Sequence, residues 1–196
     1  MHNIEPHYNW RDHYIASEDE RSPFYGRMYS EFEYSTKIYN YFIHPQWDDI
    51  GSPTLFVKLL FAEYNLGFGV IEILGEWNDC LYNDVSFLKQ NLIDPLIKKG
   101  INKFILIGEN LLNFHFSDDC YYEEWYEDIT DDGGWIVAIN FRQHVLDEMN
   151  KIGLTNYIHY GGVYNDLIWR PLKPQHFCLG IEQSLLHQLP GYRKDW

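Results

Sequence analysis

The chain has 196 residues, 45% hydrophobic and 18% aromatic, a composition that excludes intrinsic disorder because disordered chains are poor in hydrophobic residues. Its formal net charge of −14, from 29 acidic and 15 basic residues, makes nucleic acids and anionic membrane surfaces unfavourable partners. Three widely spaced cysteines, Cys80, Cys120 and Cys178, form no C-x-x-C pair and favour reduced thiols over a disulfide framework.

The length and the absence of a low-complexity linker predict a single domain over residues 1–196. Residues 1–35 are polar and aromatic without a regular period, and we expect an N-terminal arm held by Trp10, Tyr14, Phe24 and Tyr25. Residues 36–160 form the predicted α/β core, and residues 161–196 a C-terminal loop and helix. No signal peptide is evident at the start and no apolar stretch reaches membrane-spanning length, so we expect a cytoplasmic protein.

The first predicted strands lie between residues 36 and 74. Residues 36–44 are rich in β-branched and aromatic side chains and end at Pro45, which is typical of a strand. Residues 54–64 and 68–74 are apolar runs separated by Asn65-Leu66-Gly67, so they are expected to form an antiparallel hairpin.

Helical and strand-like segments then alternate. Apolar residues at helical spacing predict a helix from residue 83 or 84 to Gly100, with Pro95 kinking or shortening its last turn; they are Val85, Leu88, Leu92 and Leu96. Residues 104–108 and 135–139 are wholly apolar, as expected of central parallel strands covered on both faces.

The remaining elements continue this alternation. Asn140 and Gln143 resemble a capping box for a helix that ends at Gly153, and residues 156–160 are predicted to form a last strand. A final helix carries an apolar stripe and stops at Pro190-Gly191; the stripe is Phe177, Ile181, Leu185 and Leu189. The whole pattern predicts an α/β fold with a mixed, largely parallel sheet, helices on its faces and an N-terminal antiparallel hairpin.

An acidic, aromatic segment is the most conspicuous candidate for function. Residues 118–132 contain eight acids and no base, and Tyr121, Trp125 and Ile129 recur at helical spacing. We expect a helix with Ser117 or Asp118 as N-cap. It is either a solvated face or a docking face for a basic protein, and the candidate partner-binding residues are Ser117, Asp118, Asp119, Tyr121, Tyr122, Glu123, Glu124, Trp125, Tyr126 and Glu127.

A second possibility is a metal site at the C-terminal edge of the sheet, where open α/β folds place ligands. Imidazole and carboxylate groups near predicted strand ends could supply it, and the candidate ligands are His44, His115, Asp118 and Asp119. Such residues are more often ordinary loop residues. No P-loop, dinucleotide-binding, G-x-S-x-G or H-E-x-x-H motif is present, and no cofactor is expected.

Residues 68–160 resemble the STAS domain, the fold of anti-sigma factor antagonists and of sulphate-transporter tails. The similar segments are V-I-E-I-L-G-E-W-N-D (70–79), F-I-L-I-G-E-N-L-L-N-F-H (104–115), G-G-W-I-V-A-I-N (133–140) and V-L-D-E-M-N-K-I-G-L (145–154). The resemblance implies a regulatory domain in which phosphorylation of an Asp-Ser-Ser/Thr-Gly loop switches partner binding. The corresponding residues here are Phe116, Ser117, Asp118 and Asp119, so Asp118 replaces the phosphoacceptor and could act as a permanent negative charge.

Two functions follow as hypotheses. The favoured one is a non-enzymatic, STAS-like interaction protein that binds a protein partner, with a basic partner as the expected kind. The alternative is a metal-assisted hydrolase or small-ligand enzyme at the sheet edge. A homo-oligomer formed through the aromatic surface stays open as a third hypothesis.

Overall fold

The computed structural model describes residues 4–188. Its strands are β1 (Lys37–Ile38), β2 (Tyr41–Phe42), β3 (Asp48–Asp49), β4 (Leu55–Glu63), β5 (Phe68–Asn78), β6 (Lys103–His115) and β7 (Trp135–Ile139). Its α-helices are α1 (Asp84–Leu88), α2 (Asp94–Ile97), α3 (Cys120–Thr130), α4 (Gln143–Lys151) and α5 (Pro174–Gln188). A π-helical turn, Lys89–Ile93, joins α1 to α2, and 3-10 turns lie at Leu154–Asn156 and Gly162–Tyr164.

Five strands form one mixed sheet in the order β3-β4-β5-β6-β7. The β3–β4 and β4–β5 pairs are antiparallel, whereas the β5–β6 and β6–β7 pairs are parallel. Helices connect the parallel strands because a parallel pair needs a crossover, while a short turn suffices for the antiparallel pair β4–β5. The predicted α/β class and the predicted hairpin are confirmed.

The β4–β5 hairpin requires glycine at two positions. Gly67 closes the turn with φ +75°, a conformation that L-residues adopt rarely. Gly75 has φ +109° beside an irregularity in the β5–β6 register, and a Cβ atom there would lie 2.0 Å from the carbonyl oxygen of Thr54. Any side chain at Gly75 would therefore displace β4.

Three predicted segments differ in the structure. Residues 36–44 form two short strands, β1 and β2, because Tyr39 turns the chain between them with φ 53°. Strand β6 extends to His115, well past the apolar run, since its polar residues still pair with β5. Residues 156–160 contribute a single bridge from His159 to Val137 in place of a strand.

Two predicted helices differ in detail. The stripe of the first helix is buried as predicted, but a π-helical turn precedes Pro95, whose ring nitrogen has no hydrogen to donate to an earlier carbonyl. The capping box before α4 is wrong: Arg142 is the N-cap, and the Asn140 side chain donates to Glu109 and to the carbonyl of Leu167.

The two faces of the sheet bury different parts of the chain. Helices α1 to α4 cover one face, which includes Val57, Ile71 and Leu106. The other face, which includes Val70 and Ile105, is covered by α5, the preceding loop and the N-terminal arm; the covering residues include Trp10, Trp169, Phe177 and Ile181. Side chains alternate between the faces along each strand, so the central strands are apolar on both sides, with the buried Glu72 of β5 as an exception.

The N-terminal arm lies against the core through most of the expected aromatic residues. Trp10 and Phe24 are buried and Tyr14 is half-buried, but Tyr25 is exposed, so it does not hold the arm. Residues Leu189, Pro190 and Gly191, expected at the end of the last helix, lie outside the described residues. None of the helices within residues 4–188 combines the length and hydropathy needed to cross a bilayer.

Candidate protein-interaction surface

Helix α3 packs on the sheet through one aromatic stripe. Tyr122, Trp125 and Ile129 are fully buried, and the Trp125 ring meets Phe104 edge-on at a centroid distance of 5.2 Å. The Tyr122 hydroxyl donates to Oδ2 of Asp79 at 2.6 Å. The expectation that Tyr122 and Trp125 contact a partner is therefore wrong, because their spacing with Ile129 places them on the core-facing side of the helix.

Asp79, which accepts the hydrogen bond from Tyr122, directly follows β5 and is buried. It also accepts hydrogen bonds from Trp77 Nε1 at 3.0 Å and from the backbone N–H of Val85 at 2.8 Å. Burial raises the pKa of Asp79 to about 6, against the opposing effect of these donors. The network joins β5, α1 and α3, so we assign it a structural role.

The buried Lys89 forms ion pairs with two acids of α3, Glu124 and Asp128. The Lys89 ammonium lies 2.9 Å from Glu124 Oε1, 2.8 Å from Asp128 Oδ2 and 2.9 Å from Asp94 Oδ1. Burial lowers the pKa of Lys89, but these hydrogen bonds outweigh it and raise the pKa overall. Glu124 is thus engaged within the chain and is a poorer partner-binding candidate than its sequence position suggests.

The remaining candidates lie at the start of α3 and around its solvent side, and we call them together the outer face of α3. It comprises Ser117, Asp118, Tyr121, Glu123, Tyr126 and Glu127. Glu123 and Glu127 are exposed and make no ion pair with any residue between 4 and 188, while the rings of Tyr121 and Tyr126 are half-buried. The outer face of α3 therefore exposes carboxylates to solvent next to two aromatic rings that are partly packed against the protein.

The N-terminal end of α3 is ordered by local hydrogen bonds. The N-cap is Asp119 and not Ser117 or Asp118, and the backbone N–H of Cys120 donates to Asp118 Oδ1 at 3.2 Å. Asp119 accepts from the Tyr157 hydroxyl at 3.1 Å, and the Tyr157 ring lies 6.0 Å from that of Tyr126. Asp119 is accordingly tied to the outer face of α3 through Tyr157.

The four candidate metal ligands do not form a metal-binding group. His44 is buried in the loop before β3, with its Nε2 2.9 Å from Glu5 Oε1, whereas His115 is exposed at the end of β6. Within residues 4–188 no three His, Cys, Asp or Glu side chains are arranged to hold a metal ion. The four residues predicted to form the metal site are thus not brought together as a metal-binding group.

A polar cluster on the other face of the sheet was missed from the sequence. Glu72, in the middle of β5, accepts from the backbone N–H of His7 at 2.8 Å and from Asn110 at 3.2 Å. Arg170 lies 2.5 Å from Glu109 and 3.7 Å from Glu72. The one visible signal was an acid inside an otherwise apolar strand, and nothing in the sequence indicated Arg170 as its neighbour.

The likeness of this chain to known proteins is a likeness of structure. Neither a family model nor a curated protein sequence matches this chain. A solved structure of the anti-sigma factor antagonist SpoIIAA in its unphosphorylated form is similar, with 14% identity and a TM-score of 0.44 over 55% of this chain and 89% of that one. The phosphorylated form of SpoIIAA, a Bacillus cell fate determinant, is similar with 13% identity and a TM-score of 0.40, over 55% and 92% of the chains. Both solved structures are of SpoIIAA, an anti-sigma factor antagonist, which is the class of protein that the sequence resembles.

Proposed function

We propose that this protein is a non-enzymatic regulatory domain that binds a basic protein partner through the outer face of α3. The observation that carries the proposal is the charge of this region. Between Lys103 and Arg142 the chain has nine acids and no lysine or arginine. Of these acids, Glu123 and Glu127 are exposed and belong to no ion pair of residues 4–188.

The packing beneath the helix supports the same proposal. Trp125 and Tyr122 are buried and hydrogen bonds fix Glu124 and Asp128 to Lys89, so α3 need not be ordered when a partner arrives. A preorganised surface loses less conformational entropy on binding. Carboxylates would steer a basic partner to the helix, and the half-buried rings of Tyr121 and Tyr126 would supply apolar contact area.

Reversing the charge of Glu123 and Glu127 tests the proposal. We expect Glu123→Lys/Glu127→Lys to lower the association rate with the bound partner about tenfold or more at low salt, because steering depends on complementary charge. The partner would be identified by capture with the full chain and its association measured by surface plasmon resonance at several salt concentrations.

The matched control is Glu18→Lys/Glu20→Lys, which makes the same change in net charge at exposed positions of the arm. Glu124 stays unchanged, because a lysine there would face Lys89 and disturb the helix itself. Equal association rates for the two double variants would contradict the proposal.

A further inference from the structure

A cavity of about 170 Å³ lies between the N-terminal arm and β4. Its apolar lining comes from side chains that include Trp10, Tyr14 and Leu60, and its polar lining from side chains that include His7, Arg11 and Lys58. An apolar cavity of about 150 Å³ is large enough for a benzene ring. The space therefore suits a molecule built around one small ring, and it shares no residue with the outer face of α3.

The cavity is cationic, although the chain as a whole is strongly acidic. The Asp48 carboxylate, whose side chain is fully buried, lies 3.2 Å from both Lys58 Nζ and Arg27 Nη1, so two cations share a single negative charge. Arg11 adds a third positive charge, and its guanidinium donates to the neutral Gln46 at 3.1 Å. Lys58 and Arg11 line the cavity, whereas Asp48 and Arg27 lie behind Lys58; the four side chains together carry a formal charge of +2, which favours a negatively charged ligand.

Lys58 is largely buried beside an aromatic ring. Its ammonium lies 3.7 Å from the centre of the Tyr29 ring, and its side chain is only 12% exposed. Burial lowers the pKa of Lys58, Asp48 opposes this effect, and the charges of Arg11 and Arg27 add to it. An anion in the cavity would relieve the repulsion among these cations and would favour the charged lysine.

His7 also lines the cavity. The residue is 8% exposed, and its Nε2 atom is buried without a hydrogen-bond partner among the described residues. Burial is the main cause that lowers the pKa of His7, so the ring is neutral near pH 7 and can accept or donate one hydrogen bond. The ring packs edge-on against Trp10 and Trp169, at centroid distances of 5.4 and 4.7 Å, so its buried Nε2 atom is enclosed by protein and is not assigned to the ligand.

We propose that this cavity binds a small organic carboxylate whose apolar body is about the size of one ring. The apolar body would lie against Trp10, Tyr14 and Leu60, and the carboxylate would face Lys58 and Arg11. An inorganic anion would satisfy the charge but would leave the apolar lining without contacts. A neutral molecule of the same shape would fill the space but would leave the excess positive charge unbalanced.

Binding of benzoate, benzyl alcohol and inorganic phosphate to the full chain tests this proposal. Titrations followed by amide chemical shifts and by tryptophan fluorescence should show saturable binding of benzoate, about tenfold tighter than that of benzyl alcohol, since a charge-assisted hydrogen bond contributes that much or more. Phosphate binding as tight as that of benzoate would overturn the apolar part of the proposal. Equal affinity for benzoate and benzyl alcohol, or no saturable benzoate binding, would overturn the whole.

Variants locate the site. Lys58→Met should weaken benzoate binding about tenfold by removing one charge-assisted contact, whereas Lys98→Met, an exposed lysine outside the cavity, should leave the affinity unchanged. Ala16 lines the cavity, and Ala16→Leu should abolish binding by filling the space. Undiminished affinity in both Lys58→Met and Ala16→Leu would place any binding elsewhere and refute the assignment. The comparison of ligands on the unaltered protein stands even if a variant fails to fold.

Discussion

Glu72 is a carboxylate in the interior of a sheet. Its carboxylate is fully buried within β5, beside Arg170 and beneath the backbone of His7. Burial raises the pKa of Glu72 to about 7, and the hydrogen bond from His7 and the charge of Arg170 oppose that effect only in part. The sheet therefore contains a carboxyl group that loses its proton near neutral pH, far above the usual range for glutamate.

This raised pKa predicts a pH dependence of stability. The folded state holds the proton more tightly than the unfolded state, so the stabilisation is fully present below pH 4.5, the ordinary pKa of a glutamate side chain, and is lost as pH rises to about 7. The unfolding free energy of the unaltered protein should therefore fall between pH 5 and pH 8. In Glu72→Gln, whose side chain does not titrate, this fall should be smaller by about 2 kcal/mol. Urea denaturation at both pH values measures it, with the exposed Glu20→Gln as control, and an unchanged loss in Glu72→Gln would refute the prediction.

At the scale of elements, the position of α3 depends on Lys89. Three carboxylates surround its ammonium, and two of them, Glu124 and Asp128, belong to the acidic helix itself. A helix with this many acids near its C-terminal end is disfavoured by the helix dipole. The buried cation, together with the packing of Trp125, offsets that effect and holds α3 against the π-helical turn.

Removing this cation should loosen the helix. We expect Lys89→Met to lower the unfolding free energy by about 2 kcal/mol, a value reduced for the partial exposure of Glu124 and Asp128. Amide hydrogen exchange should accelerate in Cys120–Thr130 more than in β5. Lys99→Met removes an exposed lysine nearby and serves as the control. If the two variants have the same stability and exchange rates, Lys89 does not hold α3.

At the scale of the whole molecule, the arm and the C-terminal region cover the second face of the sheet together. The rings of Trp10 and Trp169 lie 5.3 Å apart, and Trp10 Nε1 donates to the carbonyl of Leu172 at 2.8 Å. Trp169 Nε1 donates in turn to Glu109 on β6 at 2.7 Å. The N-terminal arm and the segment before α5 therefore contact each other, and both pack on the same face of the sheet.

This mutual dependence predicts the effect of Trp169→Ala. Truncating a buried tryptophan should cost about 3 to 5 kcal/mol, and the arm should then be cleaved by trypsin sooner than the strands. Limited proteolysis followed by mass spectrometry would locate the first cuts. Tyr8→Ala, an exposed ring of the same arm, is the control, and arm cleavage at the same rate in both variants would argue against a shared cover.

Local sequence pattern was sufficient for the α/β class, the β4–β5 hairpin and the helix at α3. These features follow from periodicity and turn residues, which act over a few positions of the chain. The sequence pattern was less reliable where neighbouring residues compete for the same buried position. It assigned Tyr121 to the apolar stripe of α3, but Tyr122 is the buried residue, because the packing against Trp77 and Asp79 selects the side of the helix that faces the core.

Contacts between distant segments required the folded chain. Glu72 meets His7 and Arg170 across 65 and 98 positions of sequence, and Lys89 meets Asp128 across 39. A hydrophobic period states which side of an element is buried, but it does not state which element covers that side. Sheet order and the return of both chain ends to one face make that choice, and they also create the cationic cavity, whose lining residues have no shared pattern in sequence.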